Sequence, residues 1–292
     1  MSAIHIALSF DDNFWAPAYA LMRSICLSSR RQADLCFHLL HLPLGPQHRD
    51  DLRKIEAEFA GRLFWYNLET LPAFTGFVGI LPASAQWPKV VYARLLLAEL
   101  LPPQVERVIY LDCDMLVRRP IEDLFARPLD GQPLGAVSEA LAPFIMGGRD
   151  MRDFRGIFSP GDRYFNSGML VVALDQWREL DMRRAVTARV EGAGLSMLRY
   201  FDQDLLNLIF RDRWTEIDWR WNTIDAAKAH EALNPAILHY TSERKPWHLL
   251  AGIQRSSAYA RYYRHVMTND IFYRFARHRW KRWWKRKLGV GA

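Results

Sequence analysis

Apolar and polar positions along this chain follow two rhythms, one of period two in short runs and one of helical period between them. Ile4–Phe10 (IHIALSF) alternates and is apolar enough for a first central strand, and residues 17–28 then take up helical spacing. Residues 35–42 (LCFHLLHL) read as a second strand, 47–59 as a helix and 63–67 as a third strand. A helix over 91–100 leads into Arg107–Leu111 (RVIYL), a buried strand by its short, β-branched and aromatic make-up. After a looser Gly- and Pro-rich stretch around 130–165, a strand is expected at 166–173, helices at 187–191 and 203–210, and a late strand at 236–240. Strands alternating with helices predict an α/β fold: one Rossmann-like unit whose mostly parallel central sheet is covered on both faces.

The length of 292 residues and a hydrophobic half of the composition suffice for one large core. The expected division is one α/β domain over 1–250 and a helical tail over 251–292. Three cysteines, odd in number and without CxxC spacing, speak for a reducing compartment and against a disulfide framework or a zinc knuckle. The opening MSAIHIALSFDD offers no signal-peptide pattern, and no run approaches the ~20 uncharged apolar residues of a membrane span.

Charge changes this picture. Of the 39 Lys and Arg and 32 Asp and Glu, ten and one fall within residues 261–292, so that segment carries +9 and the rest −2. From residue 271 it reads IFYRFARHRWKRWWKRKL, with apolar positions 272, 275, 276, 280, 283, 284 and 288 forming one helical stripe among cations. Such a helix of about 27 Å cannot span a bilayer with its charges, but it suits an anionic membrane surface with its Trp residues at headgroup depth. The plainer alternative packs the stripe on the body. No nucleic-acid module accompanies the basic run, so no nucleic-acid partner is expected.

The candidate chemistry centres on 111–117, LDCDMLV. Asp112 and Asp114 are two residues apart in an extended segment and so project to one face, at the C-terminal end of a strand where open α/β sheets bind ligands. Paired carboxylates there suit a hard divalent cation whose shell a diphosphate completes. On their own, two acids near a strand end are more often a solvated turn than a metal site. His239 ends another strand-like run, and its imidazole would favour a borderline ion such as Mn²⁺ over Ca²⁺; Lys245 follows closely enough to meet the same anion. Asp202 and Asp204 open a helix, where acids are favoured by the macrodipole, with an uncharged Gln203 between them. Asp11, Asp12 and Asn13 follow the first strand, as turn formers or nucleotide contacts. No GxGxxG or GxxxxGK[ST] is present, which argues against dinucleotide and P-loop chemistry.

Seven blocks in order, SFDDNF (9–14), YARLLL (92–97), YLDCDMLV (110–117), YFNSGMLVV (164–172), FDQDLLN (201–207), WRWN (219–222) and HYTSERKPWH (239–248), resemble glycosyltransferase family 8 across about residues 4–250. The resemblance implies a GT-A-type fold and a retaining transfer of a hexose from a UDP-sugar, most readily UDP-galactose or UDP-glucose, to a glycan or glycolipid acceptor. It further implies lipopolysaccharide or lipooligosaccharide synthesis at the cytoplasmic side of the cell membrane. It assigns Asp112, Asp114 and His239 to Mn²⁺, with Mg²⁺ as the other choice. Ser9, Asp11 and Asn13 fall where the family contacts the nucleotide, and Cys113 lies between the two acids of that contact. Arg94 falls near the donor sugar, and Asn166 and Ser167 line its pocket. Asp202 matches a residue that holds sugar hydroxyls, and Gln203 the side chain nearest the anomeric carbon, so these two carry the catalytic assignment. Ser242 and Lys245 lie over the phosphates.

Gln203 is a neutral amide and a poor nucleophile, which favours same-face attack over a covalent intermediate. Ser242 stands where some members have glycine, and the match is poor over 74–89. That region and 140–163 would border the acceptor. The rival readings are a sugar nucleotidyltransferase, which would need a Gly-rich loop that SFDDNFWAP does not supply, and a non-catalytic carbohydrate-binding relative.

Overall fold

The computed structural model describes residues 2–79, 81, 88–139, 157–158, 162–193, 200–249, 251 and 259–288. Its strands among these residues are β1 (Ile4–Phe10), β2 (Leu35–His41), β3 (Arg62–Asn67), β4 (Arg107–Leu111), β5 (Met115–Val117), β6 (Leu134–Ser138), β7 (Phe165–Ala173), β8 (Thr215–Glu216), β9 (Thr223–Ile224) and β10 (Ile237–His239). Seven of them form the central sheet in the order β3-β2-β1-β4-β7-β6-β8. The pairs β1–β2, β2–β3, β1–β4 and β6–β8 are parallel; β7 runs antiparallel to both β4 and β6. The mostly parallel α/β sheet expected from the alternation is therefore the fold.

The period-two pattern builds a core on each face of this sheet. Ile4, Ile6, Leu8 and Phe10 join Ile109 and Leu111 on one side, with the helix Trp15–Ser28 packed over them. Ala7, Val108, Tyr110, Leu170 and Val172 face the other side, under the 89–100 segment and the helix Phe201–Ile209. Both faces are fully occupied, which is why these strands read as near-continuous apolar runs.

A second sheet of order β5-β10-β9 does most to position chemistry. β5 begins at the residue after Asp114, and its antiparallel register sets Met115 opposite His239. The Tyr240 N–H donates to the Asp114 carbonyl at 3.0 Å. Backbone pairing alone thus carries residue 239 to the end of the segment that holds the two acids. On the other flank, the Asp112 N–H donates to the Gly168 carbonyl at 2.8 Å, tying that segment to β7.

Several elements differ from the sequence expectation. The helix expected over 91–100 is a 3₁₀ helix, Lys89–Leu96, that becomes α-helical only over Leu97–Leu100. Pro88 and the β-branched pair Val90 and Val91 weaken the α form at its start. The stretch around 130–165 contains β6, whose five residues LGAVS include the weak strand formers Gly and Ala, and whose partner β8 is only two residues long, too short to show a period. The late strand, β10, belongs to the small sheet and not to the central one.

The C-terminal segment is two helices, Ala260–Met267 and Asn269–Lys287, joined at Thr268, whose φ is +67°. The expected single stripe divides. Phe272 and Phe275 are buried in the β1 core beside Tyr263, Val266, Met267 and Ile271, while Trp280, Trp283, Trp284 and Leu288 are exposed. Burial of each Phe contributes about 1.5–3 kcal/mol to docking of the first half. Arg274 secures it further through Asp51, at 2.6 Å.

Candidate active site

Asp112 and Asp114 leave the end of β4 on one face, and β10 delivers His239 between them. His239 Nε2 lies 3.3 Å from Asp114 Oδ1 and 3.9 Å from Asp112 Oδ2. The ligand atoms of the three residues all fall within 4.8 Å of one another. The other ring nitrogen, Nδ1, meets the Asn222 side-chain oxygen at 2.9 Å, which leaves the Nε2 lone pair facing the acids once Nδ1 carries the proton. Space for this meeting comes from Gly168, where a Cβ would run into the His239 ring and lie 2.8 Å from Asp112 Oδ2. Two carboxylates, an oriented imidazole and a clearing kept by glycine fit a borderline divalent cation.

Cations flank the acids. Lys245 Nζ lies 2.8 Å from Asp114 Oδ2 and also donates to the Tyr240 carbonyl. Burial would raise the Asp114 carboxyl, yet His239 and Lys245 beside it hold it well below the usual carboxylate range. Arg94 is buried and donates to Asp112 Oδ1 at 2.7 Å and to the Ser167 carbonyl and hydroxyl at 3.0 and 2.9 Å. Its Nε lies 3.0 Å from Asp202 Oδ2. Burial pushes the Asp202 carboxyl up to about 6, against the pull of Arg94 and with the nearby charge of Asp112 adding to the rise.

Gln203 is fixed at both ends of its amide. Its Oε1 accepts the Ser167 N–H at 3.0 Å and its Nε2 donates to the Tyr164 hydroxyl at 3.2 Å. Asn166 joins the same wall: its amide donates to Glu139 at 2.8 Å, and its oxygen accepts from Asn222 at 2.9 Å. Arg94, Asp112, Asp114, Asn166, Ser167, Asp202, Gln203, His239 and Lys245 therefore make one continuous network.

Of the remaining candidates, Ser9 reaches it through Tyr110, whose hydroxyl donates to Asp112 Oδ1 at 3.2 Å, and Asp204 through Tyr164; the others stand apart from it. Asp11 and Asn13 bind each other, Asn13 donating through its backbone N–H (2.9 Å) and its amide (2.7 Å). The Ser9 hydroxyl meets that of Tyr110 at 2.6 Å. The Cys113 thiol turns into the core against the Ser9 carbonyl, where burial and the two adjacent acids push its pKa up; only its backbone is left to the site. Ser242 is held in the loop that carries Lys245 by a 3.2 Å bond from its N–H to Asp225. Asp204 is fully occupied as a helix-end acceptor, from the Tyr200 N–H at 2.8 Å and the Tyr164 hydroxyl. Of the segments expected to border an acceptor, 80, 82–87, 140–156 and 159–161 lie outside the described residues.

Sequence reasoning missed Asn222, Glu139, Tyr164 and Gly168 as parts of this network. The signal for Asn222 was a lone amide directly after the aromatic pair in WRWN, and for Gly168 a glycine inside a strand.

A family model described as glycosyl transferase family 8 matches residues 5–251. The chain belongs to glycosyltransferase family 8. This family 8 chain is 29% identical over 253 residues to glycosyltransferase GlyA of Streptococcus pneumoniae serotype 4, a match covering 84% of it and 32% of GlyA, so it spans about a third of that protein's length. It is 26% identical over 258 residues to the lipopolysaccharide glucosyltransferase WaaO of Escherichia coli K12, with 84% and 73% covered. The crystal structure of the galactosyltransferase LgtC in complex with donor and acceptor sugar analogs superposes with a TM-score of 0.71 at 22% identity, covering 90% of this chain and 95% of that one. At that identity the likeness establishes the GT-A-type architecture of the family 8 chain, and its chemistry has to be argued from the site.

Proposed function

We propose that this family 8 chain is a metal-dependent, retaining hexosyltransferase that uses a UDP-sugar, UDP-galactose or UDP-glucose, and a glycan acceptor in lipopolysaccharide or lipooligosaccharide synthesis. The observation that carries the reading is the convergence of Asp112, Asp114 and His239 beside Lys245, with the fixed amide of Gln203 on the adjoining wall. Mn²⁺ suits this mixed oxygen and nitrogen set, with Mg²⁺ as the harder alternative. A cation held there would stabilise the charge that develops on a departing diphosphate.

The chain's own residues supply the rest. Lys245 is placed to donate to a phosphate oxygen as negative charge grows, acting as a fixed point charge with little reorganisation. Arg94 holds Asp112, Ser167 and Asp202 in one arrangement, leaving Asp202 to receive sugar hydroxyls. Breaking a sugar–phosphate bond gives the sugar oxocarbenium character. Gln203 lacks the basicity of a carboxylate, so it supports that cation while the acceptor attacks from the same face. The nucleotide would extend toward Asp11 and Asn13 at the end of β1, past Ser9 and the backbone of Cys113, with Ser242 and Lys245 over its phosphates.

Attachment to the cytoplasmic face of the membrane fits the exposed Trp280, Trp283 and Trp284, which stand at i, i+3 and i+4 on a helix rich in Lys and Arg. No helix among the described residues is long and apolar enough to cross a membrane. Screening UDP-sugars for UDP release with and without Mn²⁺ tests the function: release with one UDP-hexose that stops on chelation is expected, and none with any UDP-sugar would end the proposal.

A further inference from the structure

A second meeting of metal-ligand side chains lies away from the donor site. Asp12 follows β1, His48 lies in the helix Pro46–Glu58, and His278 lies in the terminal helix Asn269–Lys287. Their ligand atoms all fall within 4.8 Å of one another. Asp12 Oδ1 accepts the Gly45 N–H at 2.8 Å and meets His48 Nδ1 at 2.7 Å. The two imidazoles are held by aromatic packing: His48 stacks on Trp15 with centroids 4.5 Å apart, and meets His278 edge to face at 4.9 Å. His278 in turn lies parallel to Phe275 at 6.4 Å.

His278 Nε2 is buried and has no hydrogen-bond partner among the described residues. A buried polar nitrogen is costly to leave so, and something normally satisfies it. His48 and His278 border a cavity of about 340 Å³.

We propose that Asp12, His48 and His278 bind a second divalent cation, of the Zn²⁺ class, which staples the terminal helix to the loop after β1. Two imidazole nitrogens and one carboxylate oxygen suit a borderline ion completed by water, and are too few and too nitrogen-rich for Ca²⁺ or Mg²⁺. Arg274 does not compete for Asp12, because Asp51 and Asp270 engage it. Arg277 and Lys281 border the same cavity and lower its affinity for any cation, so the site depends on imidazole coordination rather than on bulk negative charge. Three chain segments far apart in sequence supply one ligand each, so binding links helix docking to metal occupancy.

The test uses the untagged full chain, stripped with chelator and titrated with ZnCl₂ by calorimetry, with bound zinc counted after desalting. The wild-type chain should hold two equivalents. His278→Gln should hold one, with affinity at the lost site down by at least the roughly 10–100-fold that removal of even an outer-shell partner costs. Asp112→Asn with Asp114→Asn should retain the equivalent that His278→Gln loses, so failure here and failure of the proposed function are read separately. Asp12→Asn repeats the measurement should His278→Gln fold poorly. Zinc stoichiometry unchanged in both His278→Gln and Asp12→Asn overturns the proposal. So does inorganic phosphate, in place of zinc, binding the wild type and not the variants.

Discussion

Asn222 accepts from His239 across 2.9 Å, and that bond decides which face of the imidazole the aspartates meet. Replacing Asn222 with Leu frees the ring to turn and to change tautomer. The expected result is a 10–100-fold weaker affinity for Mn²⁺, read as a higher Mn²⁺ concentration at half-maximal activity, with little change in fold. Metal titration of UDP release, run beside circular dichroism, checks this.

Gln203→Ala tests how the sugar is handled. A group that only supports a developing cation leaves substantial activity behind when removed, so a fall of about a hundredfold is expected rather than complete loss. Mass spectrometry of the enzyme with donor alone should find no glycosyl adduct on Gln203 or Asp202; a trapped adduct would reverse the assignment.

Acid sensitivity should trace in part to His38. It is buried between β1 and β3, bonded to His5 and Tyr66 at 3.0 Å each, and burial pushes its pKa down to about 3. The folded chain keeps the ring neutral, while the unfolded chain protonates it below pH 6.5. Stability from this residue is complete above that value and falls as pH drops toward 3, by about 2 kcal/mol at pH 5. Denaturant melts at pH 7 and pH 5 should show a smaller difference for His38→Gln than for the wild type.

Removal of residues 279–292 takes away the exposed Trp280, Trp283, Trp284 and Leu288 but leaves Phe272, Phe275 and His278. Sedimentation with anionic vesicles should be lost while donor hydrolysis remains. A cut at 265 would instead strip Val266, Met267, Ile271, Phe272 and Phe275 from the core and destabilise the whole domain. Retained vesicle binding after the shorter cut would disprove membrane attachment through this helix.

β1 and β4 were legible to the residue, because a strand packed on both sides leaves an apolar run that nothing else in the chain imitates. Asp112 and Asp114 were legible for a related reason: the run stops and two acids follow. What escaped was set by tertiary pairing. β5, β8 and β9 are two or three residues long, below any period. The role of Asn222 depends on a ring from another strand, and in the meeting of Asp12, His48 and His278 the last residue lies more than two hundred positions from the other two. The Trp stripe was visible as a pattern, but only packing shows that Phe272 and Phe275 belong to the interior.

The three-residue pairing of β10 with β5 has a consequence for how the chain matures. A shift of one residue would turn the imidazole of His239 to the opposite side. Until the last strand arrives, Asp112 and Asp114 stand as neighbouring like charges with no imidazole to complete their grip. A chain stopped short of residue 237 can thus possess its sheet and still lack the means to hold a donor, so competence is conferred late, by a handful of backbone bonds.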